Sequence, residues 1–175
     1  GISSHQLAKD LGITQKTAWF VLGRLREILR DKTPFQLEGI TEIDETYVGG
    51  KSDNKHASKK IYDAEGKLVD VKSPVIGIVN RGGKATLVHV KDATRKSVLP
   101  IITKHVSKGS AMFTDSSKIY HSLKKNDYKH ETVNHSAKEY VRGNIHTNTV
   151  EGFFSHLKRG IIGIYHHASE KHLHR

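Results

Sequence analysis

The sequence predicts an α/β fold in which a mixed β-sheet is flanked by helices, with a short helical segment in front of it. Runs rich in β-branched residues, typical of strands, alternate with apolar periods typical of helices over residues 39–161. Their order is three consecutive strands, then a helix, a strand, a helix, a strand and a helix. An antiparallel meander followed by crossover connections is typical of a layered α/β domain.

Each element carries its own local signal. The first strand is expected at residues 39–48, where Ile40, Ile43 and Val48 suit a half-buried strand and a glycine pair follows. The remaining elements, in the order given above, are expected at residues 74–80, 85–90, 92–105, 110–115, 118–125, 130–134 and 148–161.

Residues 49–73 form a long lysine-rich insertion between the first two strands, with a hairpin signal around residues 64–66. Long loops of this kind are often functional or disordered. A ligand-binding surface and an ordinary solvated loop explain this composition equally well.

The composition favours a polyanionic partner. The chain has 29 Lys and Arg against 18 Asp and Glu, a formal net charge of +11, which points to nucleic acid ahead of an anionic membrane. It has no cysteine, which excludes disulfides and thiolate zinc sites within it. No apolar run approaches the ~18 residues of a membrane-spanning helix, and residues 1–11 lack the apolar core of a signal peptide. We therefore expect a cytoplasmic, nucleoid-associated protein that binds double-stranded DNA and no membrane.

Residues 1–32 are expected to form a helix-turn-helix. Two helices, at residues 3–12 and 14–30, are separated by a tight turn at Gly12, and Thr14 is the expected N-cap of the second helix. The alternative is a two-helix hairpin that packs on the main domain.

The second helix of a helix-turn-helix lays its N-terminal side chains into the major groove. We therefore expect the opening turn, with Gln15, Lys16 and Thr17, to contact DNA. Gln15 can pair with a base edge, while Lys16 and Arg24 suit phosphates.

Three acidic residues occupy positions where an acid does not help folding. Asp44 lies within the first strand, although a carboxylate beside a core is costly unless a cation meets it. Asp115 lies at the carboxyl end of a short buried strand, where α/β sheets place ligand-binding groups. Glu151 lies on the last helix, on the same side as Ser155 and Lys158 at ~100° per residue. For any one of these acids alone, a salt bridge or a helix cap is the simpler explanation.

Their joint placement predicts a divalent-metal site. Mg²⁺ takes oxygen ligands and keeps several waters, so two or three convergent carboxylates suffice. Two such ions about 3.5–4 Å apart activate the attacking oxygen and stabilise the leaving oxygen in phosphodiester displacement. Lys158, seven residues beyond Glu151, suits a DNA phosphate near such ions.

Three ordered motifs carry a family resemblance. They are EIDETYVGGK at residues 42–51, TDSSKIY at residues 114–120 and HTNTVEGFFSHLKRG at residues 146–160. With 35 residues between Asp115 and Glu151, the sequence resembles the DDE transposases of bacterial insertion sequences, of the ISXO-type branch. It departs from that branch at Ser116, where Gly is common, and at Phe154, where Trp is more usual.

The resemblance implies an RNase H-like fold for residues 36–175, a fold whose strand order matches the predicted one. It also implies that Asp44, Asp115 and Glu151 bind Mg²⁺ or Mn²⁺, with two ions expected. Asn148, one turn before Glu151, is the alternative third ligand. Glu45 is not expected to be a ligand, because the next residue along a strand points to the opposite face of the sheet.

The activity implied by the resemblance is DNA strand cleavage and strand transfer at transposon ends, with water or a DNA 3′-hydroxyl as nucleophile. Lys51, Lys158 and Arg159 are expected DNA contacts beside those of the N-terminal segment. A homodimer or larger assembly is expected on the two DNA ends. A non-catalytic DNA-binding protein derived from such an enzyme and another RNase H-like nuclease are the alternatives.

Overall fold

A five-stranded mixed sheet lies at the centre of residues 35–156. In the computed structural model, which describes residues 1–29, 35–123, 127–166 and 168–173, the strands run in the order β3-β2-β1-β4-β5. β1 is antiparallel to β2 and parallel to β4, and the outer pairs follow the same pattern. The predicted meander and crossovers are therefore confirmed. The strands are β1 (Ile40–Val48), β2 (Ser73–Asn80), β3 (Ala85–His89), β4 (Ala111–Asp115) and β5 (Lys129–Val133).

Two helices cover opposite faces of this sheet. On one face, α3 (Arg95–His105) contributes Val98 and Ile102 to the main core. On the other, α4 (Asn148–Gly160) packs Val150 and Phe154 against the sheet. The strand residues in the main core are Ile43, Ile76, Ile78 and Met112. Both helices were predicted, within three residues of the observed ends.

The helix expected from residue 118 is instead a short 3₁₀ helix, Lys118–Tyr120. Tyr120 and Leu123 are both fully buried, at 0% and 1% exposure. Their spacing of three residues matches a 3₁₀ turn, which places side chains i and i+3 on one side. The predicted end of that helix, at residues 124–125, lies outside the described residues.

Gly77 of β2 marks the place where α4 approaches the sheet. A Cβ atom at this position would lie 2.6 Å from Phe154 Cε1 and 2.7 Å from Val150 Cγ2, so a larger residue forces the helix to move. We expect Gly77→Ala to lower the free energy of unfolding by about 1–3 kcal/mol, as overpacking does. Urea unfolding measures this change.

Gly152 of α4 provides the matched control, because a Cβ atom there would meet nothing within 4 Å. Gly152→Ala should stabilise the protein by about 0.5–1 kcal/mol through helix propensity alone. Equal effects at the two glycines would contradict the close packing of α4 at Gly77.

The insertion between β1 and β2 contains the predicted hairpin, with Tyr62 paired to Leu68 in antiparallel fashion. Its base is fixed by Ser52, which is 1% exposed. The Ser52 amide donates to Asp70 Oδ1 at 2.7 Å, and the Ser52 hydroxyl donates to the Val69 carbonyl at 2.7 Å. The two ends of the insertion are therefore joined to each other by specific hydrogen bonds.

The second compact unit comprises Gly1–Pro34 with Leu157–Arg175. Its helices α1 (Ser4–Leu11) and α2 (Gln15–Leu29) are joined by Gly12, which adopts a left-handed conformation with φ of 65°. Ser3 Oγ accepts the Gln6 amide, and Thr14 Oγ1 accepts the Thr17 amide. The predicted cap of α2, Thr14, is thus confirmed.

Only Ala18 is buried among the residues of these two helices. The apolar side of α2 is largely exposed, since Leu25 is 46% exposed and Ile28 is 76% exposed. Within this unit, the Arg26 guanidinium donates to the Tyr165 hydroxyl at 2.6 Å and stacks on its ring. The predicted end of the second helix at residues 30–32 lies outside the described residues.

The division of the chain at residues 32 and 36 into two domains stays a prediction. One compact unit is Phe35–His156, and the other contains both chain ends. None of the helices in the described residues is both long and apolar enough to span a membrane.

Candidate active site

Asp44 lies on the face of the sheet that α4 covers. It pairs across the strands with Gly77, the residue that α4 approaches, and directly paired residues share a face. Glu42, two residues earlier, pairs with Val79, which packs against Val150 and Phe154. The side-chain alternation of β1 therefore directs Glu42 and Asp44 toward α4.

Asp115 lies beside Asp44 on this face. The parallel register pairs Glu42 with Phe113, and both strands continue two residues to an aspartate. Neighbouring strands are about 4.8 Å apart, so the two backbones bring Asp44 and Asp115 to the same level of the sheet. Asp115 Oδ1 accepts the Ser117 amide at 3.0 Å, which fixes the orientation of its carboxylate.

Glu151 lies in the first turn of α4 and is exposed. Its Oε1 accepts a hydrogen bond from Thr147 Oγ1 at 3.3 Å. Asn148, the alternative ligand, is the first residue of the same helix and is also exposed. The amide of Asn148 lies 3.4 Å from His146 Nδ1.

The predicted carboxylates affect one another electrostatically. Burial raises the pKa of Asp44 from its ordinary 3.8 to about 7, and the negative charges of Glu45, Asp115 and Glu151 add to this rise. A hydrogen bond from the Glu45 amide to Asp44 Oδ1, 2.8 Å long, acts in the opposite direction. Asp115 and Glu151 thus lie within electrostatic reach of Asp44.

In the described part of the chain, no cationic side chain forms an ion pair with these three acids, since Arg81 and His146 pair with Glu42 instead. Nor do three or more His, Asp or Glu side chains of these residues form a group that could hold a metal ion. A half-buried carboxylate with raised pKa and oxygen donors on one face is nevertheless the donor chemistry that Mg²⁺ prefers.

Glu45 lies on the opposite face, as its position next to Asp44 predicted. Its Oε2 accepts a hydrogen bond from the hydroxyl of Tyr120, which belongs to the core on the α3 side. Burial raises the pKa of Glu45, and the bond from Tyr120 partly offsets this effect. The first and second motifs therefore contact each other on the α3 side of the sheet.

Glu42 is a site residue that the sequence reasoning did not identify. Its carboxylate is fully buried, and Oε2 accepts the amides of Thr149 and Val150 at 2.8 and 3.1 Å. Arg81 Nε donates to Oε1 at 2.7 Å, and His146 Nδ1 lies 3.3 Å from the same oxygen. One signal in the sequence could have identified Glu42. It is an acid two residues before Asp44, so it lies on the same face of the strand as Asp44 and points inward.

The predicted DNA contacts of the N-terminal unit lie on α2, with Gln15, Lys16 and Thr17 on its first turn and Arg24 further along. Lys16 and Arg24 are exposed. The Gln15 amide donates to Ser4 Oγ at 2.8 Å, and Thr17 bonds to Thr14, so these two side chains already have partners within the unit.

The other predicted DNA contacts lie after β1, which carries Asp44, and in the last turn of α4, which carries Glu151. Lys51 is exposed just after Gly50. Lys158 and Arg159 are in the last turn of α4 and are exposed.

Comparison with known proteins shows the family of the chain. Residues 36–175 match the family described as ISXO2-like transposase domain. The chain is also 29% identical over 165 residues to an uncharacterised protein in transposable element ISH50 of Halobacterium salinarum. That alignment covers 90% of this chain but 56% of the relative, so the chain spans about half of the relative's length. The chain belongs to the ISXO2-like transposase family.

Proposed function

We propose that this chain catalyses metal-dependent cleavage of DNA strands and their transfer at the ends of an insertion sequence. The observation that carries the proposal is that Asp44 and Asp115 lie beside each other on the face of the sheet that is covered by α4, the helix that bears Glu151. Burial raises the pKa of Asp44, and the charges of Asp115 and Glu151 add to this rise. The strand order β3-β2-β1-β4-β5 supports an RNase H-like fold for this unit.

Asp44, Asp115 and Glu151 would hold two divalent ions, Mg²⁺ or Mn²⁺. When bound, these ions would activate the attacking oxygen and stabilise the leaving oxygen of the phosphodiester. Like charges within reach of one another repel and favour protonation, and a divalent cation would remove this repulsion. With the ions bound, the three carboxylates would lie closer together than they do in the described structure, where they form no metal-holding group.

The proposed DNA contacts lie on the N-terminal helices and among the basic residues that follow β1 and end α4. Lys16 and Arg24 would bind phosphates while Gln15 exchanges its bond with Ser4 for a base edge, as in a helix-turn-helix. Lys51, Lys158 and Arg159 would contact the phosphates near the cleavage site. Two DNA ends call for two such chains, so we propose a homodimer or larger assembly on DNA, associated with the nucleoid.

The direct test is a cleavage assay on a supercoiled plasmid that carries the DNA flanking the gene. The wild-type chain should nick this plasmid with Mg²⁺ or Mn²⁺ and not with EDTA. Binding of the same DNA without any nicking, at all metal concentrations, would support a non-catalytic DNA-binding protein instead.

The identity of the third ligand can be decided by two substitutions on α4. We expect Glu151→Gln to reduce nicking by about 100-fold or more, because it removes a charged metal ligand. Asn148→Ala should stay within about tenfold of the wild type, since an amide is the weaker ligand for a hard cation. Nicking rates at saturating Mn²⁺ measure both, and the reverse order would assign the third ligand to Asn148.

A further inference from the structure

We propose that Glu42 is the positioning residue that sets the place of Glu151 relative to Asp44. This inference rests on the proposed function, because it assigns Glu42 a role toward the proposed metal ligands. Glu42 does not itself reach the ligand position, since both of its carboxylate oxygens are engaged in a fully buried environment.

The geometry of β1 and α4 carries the proposal. Glu42 and Asp44 share one face of one strand, so their separation is fixed by the pleat. Glu42 Oε2 holds the amides of Thr149 and Val150, the residues directly before Glu151. The same stretch of β1 therefore carries the first ligand and holds the turn that carries the third.

Arg81 extends this connection to the segment that leads into α4. Its guanidinium donates to Glu42 Oε1, to the carbonyl and side-chain oxygens of Asn144 at 2.8 and 2.9 Å, and to the carbonyl of His146 at 3.3 Å. It also lies 4.9 Å from the ring centroid of Phe113, on the strand that ends at Asp115. Arg81 and Glu42 thus link β1, β4 and the start of α4, the three elements that carry Asp44, Asp115 and Glu151.

An ordinary helix cap would not require such an arrangement. Before α3, the Asp92 carboxylate accepts bonds from the Thr94 amide and the Ser97 hydroxyl, all within five residues of sequence. The cap of α4 comes instead from a residue 107 positions away, on the strand of the candidate site. A carboxylate at a helix N-terminus also interacts favourably with the helix dipole, and charged hydrogen bonds hold geometry well.

The test measures Mn²⁺ binding by the electron paramagnetic resonance signal of the free ion, with folding checked by circular dichroism. Glu42→Gln should weaken Mn²⁺ binding about tenfold in the folded protein, as losses in the outer shell of a metal site do. Thr149→Val removes one bond to Glu42 and keeps the shape of the side chain, so it should cause a smaller loss in the same direction.

Asp92→Asn is the control, because it weakens the hydrogen bonds of a carboxylate just before α3 and should leave Mn²⁺ affinity unchanged. Folded Glu42→Gln with wild-type affinity would overturn the proposal. If Glu42→Gln does not fold, Thr149→Val decides, and an unchanged affinity there overturns it as well. A wild-type chain that binds no Mn²⁺ would remove the proposed metal site and this role together, which is a different result from a change confined to Glu42.

Discussion

Asp44→Asn and Asp115→Asn should each reduce metal-dependent nicking by about 10³-fold or more while leaving DNA binding within about threefold of the wild type. Both substitutions remove a charge from the centre of the proposed site and keep the size of the side chain. Metal-ion stabilisation of the transition state amounts to several kcal/mol, and each ~1.36 kcal/mol is a factor of ten in rate. DNA affinity depends on Lys and Arg contacts to phosphates instead.

The measurement is the initial rate of nicking with Mg²⁺ and with Mn²⁺, beside a gel-shift titration of the same DNA. Asp127→Asn is the matched control, because Asp127 is exposed and pairs with Lys108 at 3.4 Å. We expect this variant to nick at the wild-type rate. Cleavage that survives either Asp44→Asn or Asp115→Asn would end the assignment of that residue.

The strands and the candidate ligands could be predicted because they depend on short-range patterns. Alternation along β1 correctly separated Asp44 from Glu45, which bonds to Tyr120 on the opposite face. The end of a short, mostly apolar run placed Asp115 at the carboxyl end of β4. These features follow from side-chain period and strand propensity, which any sequence displays directly.

The role of Glu42 could not be predicted in the same way. It depends on α4 starting at one particular place above the sheet, with Gly77 leaving room for the helix. The sequence separation of 107 residues between Glu42 and Thr149 carries no local signal. The 3₁₀ helix at Lys118–Tyr120 was missed for a related reason, since burial of Tyr120 depends on contacts from other parts of the fold.

Asp44→Asn should also make the protein more stable at pH 8 and leave its stability nearly unchanged at pH 4. The pKa of Asp44 is raised from 3.8 to about 7 in the folded chain. Protonated Asp44 therefore contributes stability below about pH 4, and this contribution is lost as the pH rises through 7. Asn carries no charge at either pH and can still accept the Glu45 amide bond.

The expected gain at pH 8 is about 1–3 kcal/mol. One pKa unit corresponds to ~1.36 kcal/mol, and the neighbouring carboxylates reduce the full value because they move apart as Asp44 ionises. Urea unfolding in EDTA at pH 4, 6 and 8 measures it, with Asp127→Asn again as the control. Saturating Mn²⁺ should then stabilise the wild type at pH 8, as any ligand of the folded state does, and have little effect on Asp44→Asn. A variant less stable than the wild type in EDTA at pH 8 would instead mean that a cationic side chain of the protein stabilises ionised Asp44. The Asp44 carboxylate would then have a structural role.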